Sequence, residues 1–233
     1  EISECLVGSE MCIRDRFADM EEDVNLKEYL DRSTFINKDG EVCEFTDLQK
    51  HDLNLVLQKR YALLNWQQGS GKTAAVYHRA KYLLKFRKAK NVIILAPAIA
   101  TNMTWIPFLT INKERFRTIQ TAGDLNNIPE GTFLVVSTSM LRKLKRGLMR
   151  FVKRTSGKLC LVFDESDEIT NPTSQRTRNI LCIFRRLKYK ILDTGTTTRN
   201  NIAELYSQFE LLYNNSVLSL IHISEPTRHS LIS

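Results

Sequence analysis

The sequence lacks any apolar run long enough to cross a membrane, and it is poor in the residues typical of disulfide-rich or low-complexity proteins. It holds five cysteines and five prolines among 233 residues. The three cysteines of the central region show neither the spacing of a zinc site nor that of a disulfide framework; they are Cys43, Cys160 and Cys182. We therefore expect a globular protein that is located in the reducing environment of the cytoplasm and has no membrane segment.

Both ends of the chain carry peptides that do not look like evolved protein. Residues 218–228 read LSLIHISEPTR and residues 6–15 read LVGSEMCIRD. The two peptides can be encoded by opposite strands of one DNA sequence, which resembles a transposon-end sequencing adapter. We therefore predict that residues 1–16 and 218–233 are non-native, adapter-derived segments, and that residues 17–217 carry the fold.

Positive charge exceeds negative charge along the chain. Thirty-four Lys and Arg residues face 26 Asp and Glu residues, for a formal net charge of +8. Leaving out residues 1–16, with four acids and two bases, and residues 218–233, with one of each, raises the net charge to +10. Such a balance favours a polyanionic partner, although a generic basic surface is the alternative.

Short apolar runs alternate with longer amphipathic stretches from Tyr61 onward. This order indicates an α/β fold with a mostly parallel sheet covered by helices on both faces, in which ligands bind at the carboxyl ends of the strands. The predicted strands are residues 61–65, 91–96, 133–137, 159–163 and 190–192, with a weaker one at 118–120. The predicted helices are residues 72–88, 139–154, 176–186 and 201–212.

A glycine-containing loop, QQGSGKT at residues 67–73, joins the first predicted strand to the first predicted helix. Its glycines allow the backbone to approach phosphate and to take positive φ, and the helix N-terminus faces the anion. Lys72 would reach the β- and γ-phosphates, and the Thr73 hydroxyl would bind Mg²⁺. The residues predicted to bind ATP in this loop are Gly69, Ser70, Gly71, Lys72 and Thr73.

Two adjacent carboxylates follow the apolar strand LCLVF, at Asp164 and Glu165. In phosphoryl transfer this pair suits Asp164 as a Mg²⁺ ligand and Glu165 as the group that polarises the attacking water. A strand that ends in Asp-Glu is a weak signal alone, and a solvated turn is the alternative. After a phosphate loop at this separation, however, the pair predicts a catalytic site formed by Lys72, Asp164 and Glu165.

Four segments resemble, in order, motifs Ia, Ib, II and III of the Swi/Snf-type helicase-like ATPases of superfamily two. Residues 91–109 (NVIILAPAIATNMTWIPFL) resemble motif Ia, and residues 135–143 (VVSTSMLRK) resemble motif Ib. Residues 164–178 (DESDEITNPTSQRTR) resemble motif II, and residues 193–206 (DTGTTTRNNIAELY) resemble motif III. The resemblance covers most of residues 17–217 and implies that they form an N-terminal RecA-like domain.

The resemblance also implies roles for individual residues. Gln49, in FTDLQKHDLNLVL, looks like the upstream glutamine that reads the adenine edge, with a surface glutamine as the alternative. The motif III element that couples the γ-phosphate state to DNA contacts corresponds here to Thr194, Gly195 and Thr196.

The chain departs from the family pattern at several places. The phosphate loop usually begins with a glycine, but Trp66 stands there, and Asp193 adds a carboxylate before motif III. Thr170 replaces a lysine, Thr197 a proline and Arg199 a glutamine. These changes suggest a divergent, phage or viral branch.

A run of basic residues after motif Ib extends from Arg142 to Lys158. In the resembling family this side of the domain follows a nucleic-acid backbone, and such contacts neutralise phosphates without reading sequence. A solvated helix face is the alternative. The predicted nucleic-acid-binding residues are Thr138, Arg142, Lys143, Lys145 and Arg146.

These features predict the ATP-binding half of an ATP- and Mg²⁺-dependent translocase on double-stranded DNA. The resemblance implies a second RecA-like domain of the same protein that completes the ATP site. Two alternatives stay open in the same class, a strand-separating helicase and the motor subunit of a restriction system. A third, of another class, is a nucleotide-regulated DNA-binding module without turnover.

Overall fold

A computed structural model describes residues 21–155, 157–195 and 205–213. The segments predicted to be adapter-derived, residues 1–16 and 218–233, lie outside the described residues. None of the helices in the described part of the chain is long and apolar enough to span a membrane.

The core of the fold is a six-stranded sheet in which every pair of neighbours is parallel. Its spatial order is β3-β8-β7-β4-β6-β5. Parallel pairing is favoured here because the central strands are apolar throughout and buried on both faces. The strands are β3 (Tyr61–Leu64), β4 (Asn91–Ala96), β5 (Phe116–Thr118), β6 (Phe133–Ser137), β7 (Leu159–Phe163) and β8 (Tyr189–Asp193).

Helices cover both faces of this sheet, and each face has its own apolar core. One face carries α1 (Val24–Asp31), α2 (Asp47–Gln58), α3 (Lys72–Lys85) and α5 (Ile106–Ile111). The other carries α6 (Leu141–Arg154), α7 (Gln175–Phe184) and α8 (Tyr206–Leu212). Alternate residues of one strand face opposite cores, as Ile93 and Ile94 of β4 do. The α/β fold predicted from the sequence is therefore confirmed.

The strands predicted at 91–96, 133–137 and 159–163 are confirmed residue for residue. Elsewhere, tertiary pairing moves the boundaries. β5 begins at Phe116, two residues before the predicted start, because it pairs with β6 from Phe133 onward. β8 is one residue longer at each end because it lies between β3 and β7 and pairs with both.

The predicted helices form, with shifted ends. The helix predicted at 72–88 ends at Lys85, and the one predicted at 176–186 spans Gln175–Phe184. Before α6, residues Thr138–Met140 form a 3-10 turn. Of the helix predicted at 201–212, α8 is observed from Tyr206, and residues 201–204 lie outside the described residues.

The elements before β3 were not predicted from the sequence. They are α1, the antiparallel pair β1 (Thr34–Ile36) and β2 (Val42–Glu44), and α2. The start of α2 carries a capping box, in which Thr46 and Gln49 satisfy each other's backbone N–H groups. That Thr-x-x-Gln pattern was a readable signal for a helix.

Motif Ia runs from β4 into a helical segment of mixed type. A helical turn, α4 (Ala98–Ala100), leads into one turn of π-helix (Thr101–Trp105) and then into α5. Isolated π-turns occur often at functional sites because they displace side chains from regular helical positions.

Gly147 lets α6 approach the neighbouring 3-10 helix (Ala122–Leu125) closely. A Cβ atom at Gly147 would lie 3.0 Å from the Cβ of Ala122 and 3.4 Å from Leu125. Met149, two residues further along α6, is exposed. The two positions therefore offer matched tests of packing in one helix.

We expect Gly147→Val to destabilise the protein by about 1–3 kcal/mol, because overpacking forces neighbours apart. The measurement is the urea midpoint of unfolding. Met149→Val places the same β-branched residue in the same helix at an exposed site and should have a much smaller effect. Equal midpoints for the two variants would contradict a close contact at Gly147.

Candidate nucleotide and nucleic-acid sites

The carboxyl ends of five neighbouring strands bring the sequence motifs together. In sheet order, β3 leads to the phosphate loop, β8 to motif III, β7 to motif II, β4 to motif Ia and β6 to motif Ib. Backbone pairing continues past the strand ends: Asp164 N–H donates to Leu95 O at 2.9 Å, and Thr194 N–H donates to Leu64 O at 3.2 Å. Motif III is thereby fixed beside the phosphate loop, and motif II beside motif Ia.

The phosphate loop has the backbone that the sequence predicted. Gly69 and Gly71 both lie in the left-handed region, at φ 83° and 81°, which a side chain would strain. Lys72 opens α3, and its Nζ folds back onto the loop, where it donates to the carbonyls of Trp66 (3.1 Å) and Gln67 (3.2 Å). The ammonium group is therefore held at the loop where a phosphate would replace these carbonyls.

Helix α2 supports this loop at two points. Trp66, which stands where the family usually has glycine, packs against the core and donates from its indole N–H to Asp52 at 2.9 Å. Gln49 donates from Nε2 to the carbonyl of Ser70 at 2.9 Å. Both contacts join the loop to one face of α2, so the tryptophan is an anchor of the loop and not a defect in it.

The side chain of Gln49 is fully engaged in local contacts. Its Oε1 accepts from Thr46 N–H at 2.9 Å in the capping box, while its Nε2 contacts the loop. This places Gln49 beside the predicted nucleotide site. Contact with adenine stays a prediction.

Motif II begins with a buried carboxylate held by motif Ia. Asp164 is 8% exposed, and its Oδ2 accepts a hydrogen bond from the indole N–H of Trp105 at 2.6 Å. Glu165 follows with φ 53°, a left-handed conformation that is strained for a residue with a side chain. The backbone therefore leaves the extended conformation of β7 at Glu165.

A second buried acid, Asp193, lies beside Asp164. Asp193 is 1% exposed, and within the described residues neither of its carboxylate oxygens accepts a hydrogen bond from a donor. Burial raises its pKa well above the usual value, and the neighbouring charges of Asp164 and Glu165 raise it further, against the opposing effect of Lys72. Asp193 is therefore protonated at pH values where an exposed aspartate is ionised.

Motif III approaches the phosphate loop directly. A Cβ atom at Gly195 would lie 3.5 Å from Nζ of Lys72, so the backbone of motif III passes close to the ammonium group. Thr194 is fully buried. Thr196, the third residue predicted for this element, lies outside the described residues.

One contact to motif II comes from a residue that carried no sequence signal, Gln208 in α8. Ser166 and Gln208 are both fully buried, and the Ser166 hydroxyl donates to Oε1 of Gln208 in α8 at 3.3 Å. A glutamine in an amphipathic helix is ordinarily a surface residue, so the sequence alone gave no reason to select Gln208.

The described residues fit a Mg²⁺ ion held partly by a nucleotide. Thr73 and Asp164, the predicted ligands, are oxygen donors at the same edge of the sheet. No group of three or more His, Cys, Asp or Glu residues in the described ranges is arranged to hold a metal. Mg²⁺ commonly uses one or two protein ligands, with phosphates and water completing the octahedron.

A groove of about 400 Å³ opens at the ends of β4, β5 and β6. Motif Ia contributes Thr101 and Asn102, the end of β5 contributes Gln120, and motif Ib contributes Ser139 and Lys143. Most of its lining residues have polar side chains, although apolar atoms make up the larger part of the exposed lining surface, and Lys143 is the basic residue among them. Hydroxyl, amide and ammonium groups of this kind can hydrogen-bond to the phosphate oxygens of a nucleic acid.

The predicted nucleic-acid residues differ in accessibility. Arg142, Lys143 and Arg146 are exposed on the first two turns of α6, and Lys145 is half-buried. Thr138 is buried, at 5% exposure, so its side chain is not on the surface of the groove.

The basic run after motif Ib is not one surface patch. α6 is 14 residues long, about 20 Å, and it leads from the end of β6 to the start of β7 at the opposite edge of the sheet. Lys158 lies at that opposite edge, where its carbonyl accepts from Lys90 N–H. Arg154 donates to Leu125 O at 2.9 Å, which ties it to the fold. Of this run, Lys143 lines the groove.

Comparison with known proteins identifies the family. Residues 37–199 match the family described as "Type III restriction enzyme, res subunit". The chain belongs to that family. The match covers β2 to β8 and so includes the phosphate loop, motifs Ia, Ib and II, and the start of motif III.

The chain is also similar to the ATP-dependent helicase FUN30 of Saccharomyces cerevisiae, at 27% identity over 179 residues. That alignment covers 72% of this chain and 15% of the yeast protein. It supports the resemblance to Swi/Snf-type ATPases of superfamily two.

Two solved structures share the fold. The SWI2/SNF2 ATPase core of Sulfolobus solfataricus in complex with dsDNA superposes with a TM-score of 0.56 and 17% identity, over 74% of this chain and 36% of that one. The UvsW helicase from Bacteriophage T4 gives a TM-score of 0.55 and 16% identity, over 87% of this chain and 74% of that one. The predicted RecA-like fold is therefore confirmed, and the yeast relative supports its assignment to the Swi/Snf type. The chain spans about a third of the archaeal core and a smaller part of the yeast protein.

We expect Asp193→Asn to stabilise the nucleotide-free protein at neutral pH, by on the order of 1 kcal/mol, because it removes a buried, unpaired acid. The pKa of Asp193 is higher in the folded state than in the unfolded state. Below the ordinary aspartate pKa this group does not lower the free energy of unfolding of the wild-type protein, but as the pH rises above that value the free energy of unfolding falls. The gain in the variant should accordingly grow with pH above about 4.

The measurement is thermal unfolding at pH 4, 6 and 8. Asp39→Asn, which makes the same change at an exposed loop position, serves as the control and should show no pH-dependent gain. A gain for Asp193→Asn that does not vary with pH would contradict the raised pKa.

Proposed function

We propose that this chain is the ATP-binding half of an ATP-dependent DNA translocase or helicase of the Swi/Snf type. The observation that carries the proposal is the meeting of the phosphate loop, both motif II carboxylates and motif III at one sheet edge, with a groove lined by Lys143 at the same edge. The family match and the Swi/Snf-type relatives support the same activity.

The chain's own residues supply binding and positioning for ATP hydrolysis. Backbone N–H groups at the start of α3 would face the phosphates, and Lys72 would exchange its loop carbonyls for phosphate oxygens. Thr73 and Asp164 would hold Mg²⁺, which neutralises charge on the phosphates when it is bound. Glu165 orients and polarises the attacking water.

Nucleic acid is proposed to lie in the groove at the ends of β4 to β6. Lys143 lines the groove, and Arg142 and Arg146 flank it on α6. Contacts of this kind bind the phosphate backbone without reading sequence, as movement along DNA requires. The archaeal SWI2/SNF2 core that shares this fold was solved in complex with dsDNA, which favours a duplex as the track.

A second RecA-like domain of the same protein is proposed to close over the ATP site. In motors of this kind the partner domain supplies an arginine that stabilises the transition state. We therefore expect the 233-residue chain to bind ATP but to hydrolyse it slowly. A fast rate from this chain alone would contradict that part of the proposal.

The restriction-system motor is the second candidate, because the family that matches is described as a restriction enzyme subunit. It shares the ATP and DNA sites with the first candidate. Stimulation of the ATPase of the longer protein by duplex DNA supports both translocating candidates. Stimulation by single strands alone would favour strand separation, and binding of ATP without DNA-dependent turnover would favour a regulated binding module.

The ATP site is tested with Lys72→Ala. We expect the variant to bind ATP at least about tenfold more weakly than wild type, since it loses charge-assisted hydrogen bonds to phosphate. Affinity is measured by calorimetry with Mg²⁺ present. Lys85→Ala removes an exposed lysine from the far end of the same helix and should bind ATP normally. Equal affinities for the two variants would remove Lys72 from the site.

The groove is tested by charge removal. We expect the triple substitution of Arg142, Lys143 and Arg146 by Gln to weaken duplex binding and to reduce the dependence of log K on log salt by about 2–3. The measurement is fluorescence anisotropy across a salt series.

A matched triple variant replaces Lys85, Arg87 and Lys88 by Gln. These residues carry the same charge at the opposite edge of the sheet, and the variant should keep both affinity and salt dependence close to wild type. An equal loss in both variants would indicate a general charge effect and no groove.

A further inference from the structure

Trp105 connects the two candidate sites. Its side chain is fully buried, and its indole N–H donates to Oδ2 of Asp164 across 59 residues of sequence. Trp105 is also the last residue of the π-helix that begins at Thr101. One short segment therefore contacts the predicted Mg²⁺ ligand at one end.

The other end of the same segment lines the groove. Thr101 and Asn102 contribute to the groove wall, together with Ala98 just before them. Three residues after Asn102 comes the indole that holds Asp164. The π-helix is a single turn, closed by Ile106 N–H to Thr101 O, so a shift of Thr101 or Asn102 has no further turn to absorb it before Trp105.

Asp164 needs such support because it lies beside a buried acid. Asp193 adjoins it on the β8 side, and no donor to the Asp193 carboxylate is found among the described residues. An indole N–H is a donor only, and it fixes one of the two carboxylate oxygens, Oδ2 of Asp164. Groups that orient a metal ligand in this way tune the affinity of the site.

We propose that Trp105 is a positioning residue for Asp164, and that occupation of the groove changes the Mg²⁺ affinity of the ATP site through the π-helix. The proposal rests on the function proposed above and deepens it. In this proposal motif Ia links the groove to the metal ligand. The link consists of the five residues Thr101–Trp105 and the hydrogen bond from Trp105 to Asp164.

The test uses the 233-residue chain with Mn²⁺ as the probe, because bound Mn²⁺ can be counted by electron paramagnetic resonance. Trp105→Phe keeps an aromatic side chain but removes the indole N–H together with part of the buried ring volume. We expect it to weaken Mn²⁺ binding in the presence of ADP about tenfold, the scale expected when the support of a metal ligand is lost. ADP affinity in EDTA should stay close to wild type.

The matched control is Tyr77→Phe. Tyr77 lies in the same core and donates to Glu114 at 2.6 Å, the length of the Trp105 bond, but it does not contact Asp164. If Trp105 has only a structural role, Trp105→Phe and Tyr77→Phe should both be less stable than wild type, and the two variants should bind Mn²⁺ with the same affinity. That outcome would overturn the proposal.

A second arm tests the link to the groove. A saturating DNA duplex should change Mn²⁺ affinity in wild type and leave it unchanged in Trp105→Phe. In the unaltered sequence, the indole N–H resonance of Trp105 should also shift when duplex is added; the chain has two tryptophans, and Trp66→Phe assigns the peaks. A Trp105 resonance that does not respond to bound duplex would overturn the link even if Trp105→Phe failed to fold.

These results separate the two proposals. Wild-type protein that binds neither Mn²⁺ with ADP nor duplex would refute the proposed function itself. Wild-type protein that binds both, with Trp105→Phe indistinguishable from Tyr77→Phe, would refute only the role of Trp105.

Discussion

Parallel pairing of β3, β8, β7, β4 and β6 is the constraint on which both candidate sites depend. Because these strands run in one direction, five loops leave the sheet at the same edge, each about 4.8 Å from the next. Residues far apart in sequence, such as Lys72 and Gly195, then become neighbours. The two apolar cores serve this arrangement, since buried aliphatic strands keep the edge in register.

The site concentrates negative charge in a buried place. Asp164 and Asp193 adjoin each other, Glu165 follows, and Lys72 is the cation that opposes their charges. In the nucleotide-free protein the indole N–H of Trp105 holds Asp164, and burial beside these acids raises the pKa of Asp193. An arriving cation would be more favourable here than in an open acidic cluster, because there is little water to screen it.

The sequence predicted the sheet well where strands are apolar and short motifs stand at their ends. β4, β6 and β7 needed no correction, and the phosphate loop has both left-handed glycines where QQGSGKT requires them. It failed for β1 and β2, which have three residues each and little burial, so no periodicity could reveal them. The contact between Trp105 and Asp164 was also beyond reach, because it depends on which strands become neighbours.

The left-handed backbone of Glu165 has a consequence for how such a protein tolerates change. Glycine at this position would relax the main chain, and asparagine would fit it better than glutamate does. Selection for thermostability alone would therefore tend to replace Glu165, the residue predicted to activate water. Thermal stability and catalytic activity therefore place opposite demands on residue 165. Variants selected for heat resistance alone should lose catalytic activity through this position while they keep the fold.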